Sequence, residues 1–156
     1  MNTFNPRSRQ TGVTLLEALI TVIVISIGLL GLAALQGRAL QENQGAFQRS
    51  LASILAYDIL DCMRANREAA KAGSYDLALD AGKPTGTSVP ATDLNQWRTS
   101  LETGLASGKG SVDCDAAGLC TITVQWFDKS VNDDLNGDGT ANDKDKTLGI
   151  TLVSTL

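Results

Sequence analysis

The chain has 156 residues and no histidine. That removes the commonest general base and the commonest metal ligand. No glycine-rich phosphate loop and no nucleophile elbow can be found. The converging acid, base and nucleophile roles that a catalytic site needs are therefore missing, and the reading is of a protein that is not an enzyme. Basic residues are outnumbered, 13 Lys+Arg against 17 Asp+Glu. An acidic balance argues against direct nucleic-acid binding through a basic surface. Proline is nearly absent, with 3 in the chain and none between Gln36 and Ala72. Nothing in that long segment breaks a helix.

What is present begins with residues 11–35, TGVTLLEALITVIVISIGLLGLAAL, which hold a single charge, Glu17. The span is long enough to cross a bilayer as a helix. A carboxylate in such a helix costs about 2–3 kcal/mol to place in lipid, so a partner for it is expected. Before it lies a polar leader with Arg7 and Arg9, no acid, and Gly12 at its end. Positive charge on that side keeps the leader in the cytoplasm and places the rest of the chain beyond the inner membrane. A secretory signal peptide would have a shorter apolar core with its cleavage site after it. A plain signal anchor would account for the arginines and the apolar run, but not for Gly12 followed by Glu17.

Leader, glycine, apolar run and glutamate together resemble the class III signal of type IV pilins and pseudopilins. The resemblance implies that prepilin peptidase cuts after Gly12 and that the new amino terminus, Val13, is N-methylated. Most members have Phe where this chain has Val13. It also implies that Glu17 pairs with the terminal amine of a neighbouring subunit. An ammonium and a carboxylate are each costly alone in a low dielectric and far less costly together. Loss of residues 1–12 would leave 11 basic residues (13 − 2) against 17 acidic ones, a net charge of −6.

Beyond the membrane span, Phe47, Leu51, Ile54, Leu55, Ile59, Cys62 and Met63 recur at helical spacing. One helix is expected from Val13 to Ala72, about 90 Å long at 1.5 Å per residue. Residues 73–92 read as a loop broken by Pro84 and Pro90. Asp93 reads as an N-cap, with Gln96 completing a capping box. Leu94, Trp97, Leu101 and Leu105 follow as the stripe of a short helix over 94–105, with Trp97 as a core anchor. Strands are expected at 111–115, 119–127 and 147–154. In the second of these, Cys120, Ile122, Val124 and Trp126 share the buried face. The expected fold class is α+β, a long amino-terminal helix packed on a small antiparallel sheet, as in the pilin fold. The expected divisions are 1–12, leader; 13–35, transmembrane or filament-core helix; 36–72, its amphipathic second half; and 73–156, the αβ-loop and sheet of the head.

Three cysteines, Cys62, Cys114 and Cys120, allow three single pairings. Outside the inner membrane disulfides form readily. Cys114 with Cys120 is the favoured choice, because DCDAAGLC reads as strand, tight turn with Gly118, and strand. Cys62 then reads as a buried small hydrophobe.

The segment from Asp134 to Asp145 places Asp134, Asn136, Asp138, Asn142 and Asp145 at the first, third, fifth, ninth and twelfth positions of a loop. Gly139 is sixth, and Thr140 is seventh, where a carbonyl is offered. That is the spacing of an EF-hand-like calcium loop, similar to those of dockerin modules. The twelfth residue is Asp rather than Glu, and the flanks read as strands. A solvated Asp/Asn/Gly hairpin suits the same composition. Structural, weakly held Ca2+ is the one cofactor expected.

Residues 56–69 (AYDILDCMRANREA), 93–97 (DLNQW), 121–128 (TITVQWFD) and 26–36 (SIGLLGLAALQ) narrow the resemblance. They are similar to minor pilins of the type IV pilus modification protein PilV family. That likeness implies a low-abundance subunit that primes, caps or decorates the pilus and so serves motility and adhesion. Its partners would be prepilin peptidase, other minor pilins, the major pilin and a tip adhesin. Its location would be the inner membrane, with a periplasmic domain, and then the pilus. Two alternatives stand beside it: a minor pseudopilin of type II secretion, and a calcium-dependent adhesive module on a pilin anchor.

Overall fold

The computed structural model describes residues 14–128 and 147–156. Its elements are α1 (Leu15–Ala65), α2 (Arg67–Lys71), α3 (Val89–Gly104), β1 (Lys109–Cys114), β2 (Leu119–Phe127) and β3 (Thr147–Thr155). The fold is α+β, a long apolar amino-terminal helix and a three-stranded antiparallel sheet of order β1-β2-β3. The chain falls into two units, Met1–Leu40 and Gln41–Leu156.

In the first unit α1 is long and apolar enough to cross a membrane, and its most apolar window buries nothing. Leu16, Ile20, Val24 and Leu30 are all exposed. In water such a surface would drive association; in lipid it is at its lowest cost.

In the second unit one face of α1 packs on the sheet. Ala52, Leu55, Ala56, Ile59, Leu60 and Met63 are buried there. This corrects the expected stripe: Phe47 and Ile54 are exposed, and the alanines take their place. Small side chains let the helix approach closely, and a pattern built on large residues overlooks them.

The expected continuous helix to Ala72 is interrupted at Asn66, whose backbone leaves helical geometry at φ −125°, ψ 50°. The short α2 then closes on Gly73 at φ 75°. Its N–H reaches Ala70 O, and that of Ser74 reaches Ala69 O, at 3.0 and 2.9 Å. This is a Schellman stop, in which glycine takes the left-handed position without a Cβ penalty.

The next helix begins five residues earlier than expected. Ser88, not Asp93, is the N-cap of α3, and its Oγ accepts from Ala91 N. Pro90 falls in the first turn, where its missing N–H costs nothing. Trp97 is fully buried, as its place on the stripe predicts, and its indole N–H donates to Leu55 O at 2.8 Å. Gly110 of β1 lies against the Trp97 ring and Leu101, where any side chain would collide.

In β2 the inward row Cys120, Ile122, Val124 and Trp126 is buried. The register with β1 runs from Lys109↔Gln125 to Cys114↔Cys120. Leu77 adds a bridge to Val112 on the outer side of β1.

Candidate functional site

The candidate site is the head of α1. Thr14 stands just before the helix, and its Oγ1 accepts the Glu17 N–H at 3.2 Å. Thr14 thus caps the first turn, with the acid at the third helical position. The pattern Thr-x-x-Glu is a capping-box signature that the sequence displays. A carboxylate here also faces the positive end of the helix dipole. Thr21 and Ser26 return their hydroxyls to the carbonyls of Glu17 and Val22, at 2.6 and 2.7 Å. Such back-bonding hides polar groups that would be costly in hydrocarbon.

Glu17 is exposed, and no ion pair among the described residues involves it. The carboxylate thus stands at the head of an apolar helix with no cation partner among the described residues. Gly12 and Val13, the expected cleavage and methylation positions, lie outside the described residues. So do the six expected calcium ligands, Asp134, Asn136, Asp138, Thr140, Asn142 and Asp145. Among the described residues no cluster of His, Cys, Asp and Glu could hold a metal ion.

Residues 7–33 match the family model described as the prokaryotic N-terminal methylation motif. The chain carries a type IV pilin-like prepilin signal. Neither a curated protein nor a solved structure matches this chain. The signal indicates a prepilin-like substrate, and the helix that carries it is long and apolar enough to cross a membrane.

In the head, Cys114 and Cys120 form a disulfide across the β1–β2 turn, with Cα atoms 4.1 Å apart. Gly118 makes that turn at φ 90°. Closing so short a loop contributes about 2 kcal/mol by chain entropy. Cys62 is free and half-buried rather than fully buried. Burial, and then the carboxylates of Asp93, Asp58 and Asp61, push its thiol up from the ordinary value. It stays a protonated, unreactive thiol at neutral pH.

Two polar residues that apolar patterning could not find hold the head together. Arg98 is buried, and its guanidinium donates to the carbonyls of Leu79, Ala81 and Gly110. It ties the loop before α3 to β1. Tyr75 is also buried, and its hydroxyl donates to Asp93 Oδ2 at 2.6 Å. The Asn66 amide N–H donates to the Tyr75 hydroxyl oxygen at 3.5 Å. Asp93 therefore serves as the acceptor for Tyr75 and not as a helix cap.

Burial and the Asp93 bond push Tyr75 up to about 12. The unfolded tyrosine titrates near 10, so the folded state alone keeps its proton between those values. The contribution of Tyr75 is complete below pH about 10 and is lost as pH rises toward about 12. Thermal melts of the parent should fall across that window. In Tyr75→Phe the fall should be smaller, and a fall of equal size would refute the assignment.

Proposed function

We propose that this chain is a minor type IV pilin of the PilV kind. It is inserted in the inner membrane, cut after Gly12, methylated at Val13, and drawn into or beneath the pilus. The observation that carries the reading is the methylation motif over residues 7–33, with Glu17 exposed at the head of an apolar helix. Cleavage would create an ammonium at Val13, four residues from Glu17. Within one chain the capped helix start holds Glu17 in the first turn, and its carboxylate is left to meet the amine of a neighbour. The likeness of residues 56–69, 93–97 and 121–128 to PilV proteins supports the pilus over a type II secretion pseudopilus. Other minor pilins, the major pilin and a tip adhesin are the partners this role requires.

The test is Glu17→Ala. The variant should be cleaved like the parent yet fall at least about tenfold in sheared filaments, equivalent to about 1.4 kcal/mol of assembly energy. Incorporation at the parent's level would overturn the charge-pair role.

The loop from Asp134 to Asp145 is proposed to bind calcium weakly, with Kd in the roughly 10⁻⁴–10⁻³ M range of extracellular modules. Support comes from its ligand spacing alone. At a calcium concentration of about 100 Kd, binding should add about 2.7 kcal/mol and raise the melting temperature. Identical melts in calcium and in chelator would refute it.

A further inference from the structure

The two ends of the contact between α1 and the sheet are built differently. At one end Met63 Sδ lies 3.7 Å from Cys114 Sγ, and Cys114 pairs with Cys120 near the start of β2. At the other end a Cβ on Gly45 would stand 3.5 Å from Asp128 Oδ2. From Met63 back to Gly45 the helix covers about 27 Å at 1.5 Å per residue. From Cys120 to Asp128 the strand covers about 26 Å at 3.3 Å per residue. Helix and strand therefore run side by side, and Gln48 falls opposite Trp126.

The Met63 end is close-packed. Ala52, Ala56, Ile59, Leu60 and Met63 are at most 1% exposed. The Trp97 indole N–H fastens the helix there at Leu55 O. Toward the other end the packing thins. No residue from Gln41 to Leu51 is buried, and only Gly45, Gln48 and Leu51 are partly so. The polar groups at this end are also unmatched. Gln48 Oε1 and Trp126 Nε1 are shut off from solvent, with no hydrogen-bond partner among the described residues. Such groups carry their full desolvation cost while the contact is closed and recover it when water reaches them.

We propose that α1 has a joint inside the head. Residues 45–50 lift from the sheet, pivoting about Leu51, which rests against Gly104, while Ala52–Met63 stays docked. Lifting lets water satisfy Gln48 and Trp126. It gives up little apolar burial, because Phe47 is exposed already. Lifting at the Met63 end would instead break the Trp97 bond and expose the buried stripe. The head thus stays folded while the start of its helix swings. The joint does not depend on cleavage at Gly12.

Indole proton exchange tests this, since both tryptophan rings are 1% exposed and only Trp97 donates a hydrogen bond. The full chain in detergent micelles is transferred to heavy water and followed by NMR. The Trp126 indole proton should exchange at least about tenfold faster than that of Trp97. Gln48→Met nearly keeps the volume and removes the unmatched carbonyl. It should slow Trp126 at least about fivefold and leave Trp97 unchanged. Gln44→Met, at an exposed position, should change neither. Equal indole rates in the parent would overturn the proposal. So would a Trp126 rate indifferent to Gln48→Met, which would show water entering by the cavity lined by Ser107, Lys109 and Gln125. Equal slowing of both indoles, the mark of a global gain in stability, would overturn it as well.

Discussion

Gly12→Leu should leave the chain uncut in cells that process the parent. A peptidase must bring its catalytic groups against the backbone at the cut, and glycine alone presents no Cβ to obstruct them. A leucine side chain at the scissile bond should reduce mature protein by more than about tenfold, which asks for only about 1.4 kcal/mol of lost transition-state binding. Two further effects follow. The uncut chain keeps Arg7 and Arg9, and so keeps its cytoplasmic anchor. It also lacks an amine at Val13, and Glu17 then has no terminal ammonium to meet. Filament content should fall with cleavage, which immunoblotting of sheared and cell-bound fractions measures together. Normal shortening of Gly12→Leu would move the cleavage position away from Gly12.

Arg98→Met should lower the stability of the head by about 3–5 kcal/mol. The guanidinium serves Leu79, Ala81 and Gly110 at once. Methionine fills most of the volume but leaves those carbonyls short of donors, at about 1–3 kcal/mol for each one that water cannot reach. Arg98→Lys should recover little, because a single ammonium cannot fork toward carbonyls on both the loop and β1. Domains of this size are stable by about 5–15 kcal/mol, so the loss is a large share of the total. Thermal unfolding of the full chain in detergent checks it, and a change under about 1 kcal/mol would show that the clamp is dispensable.

The parts of the fold that could be read from the sequence are those in which one strong period acts alone. β2 is such a case: four apolar residues alternate with polar ones between Leu119 and Phe127, and the strand has those bounds. Trp97 is another, fixed on the stripe of α3 and buried. Errors arose where two local signals competed. Asp93 with Gln96 looked like a capping box, but the Tyr75 hydroxyl takes the Asp93 carboxylate, and Ser88 starts the helix upstream of Pro90. Asn66 ends α1 without a proline, so composition gave no warning. Ala52 and Ala56 are core residues because their smallness permits close packing, a property that a search for large apolar residues passes over.

The candidate site was legible to a different degree. Glu17 stands out because charge in a hydrocarbon-length run is costly. Its cap by Thr14 is displayed in the same four residues, Thr14 to Glu17. Arg98 and Tyr75 stayed hidden, since their partners are backbone carbonyls or residues distant in sequence. Pairings of that kind leave no periodic trace.

The most direct measurement is mass spectrometry of filaments sheared from the native cells, read at the amino terminus of this chain. The expected peptide begins at Val13 and carries a methyl group on its terminal nitrogen. A chain that retains residues 1–12 in the cell envelope, with none in the filaments, would contradict processing and assembly together.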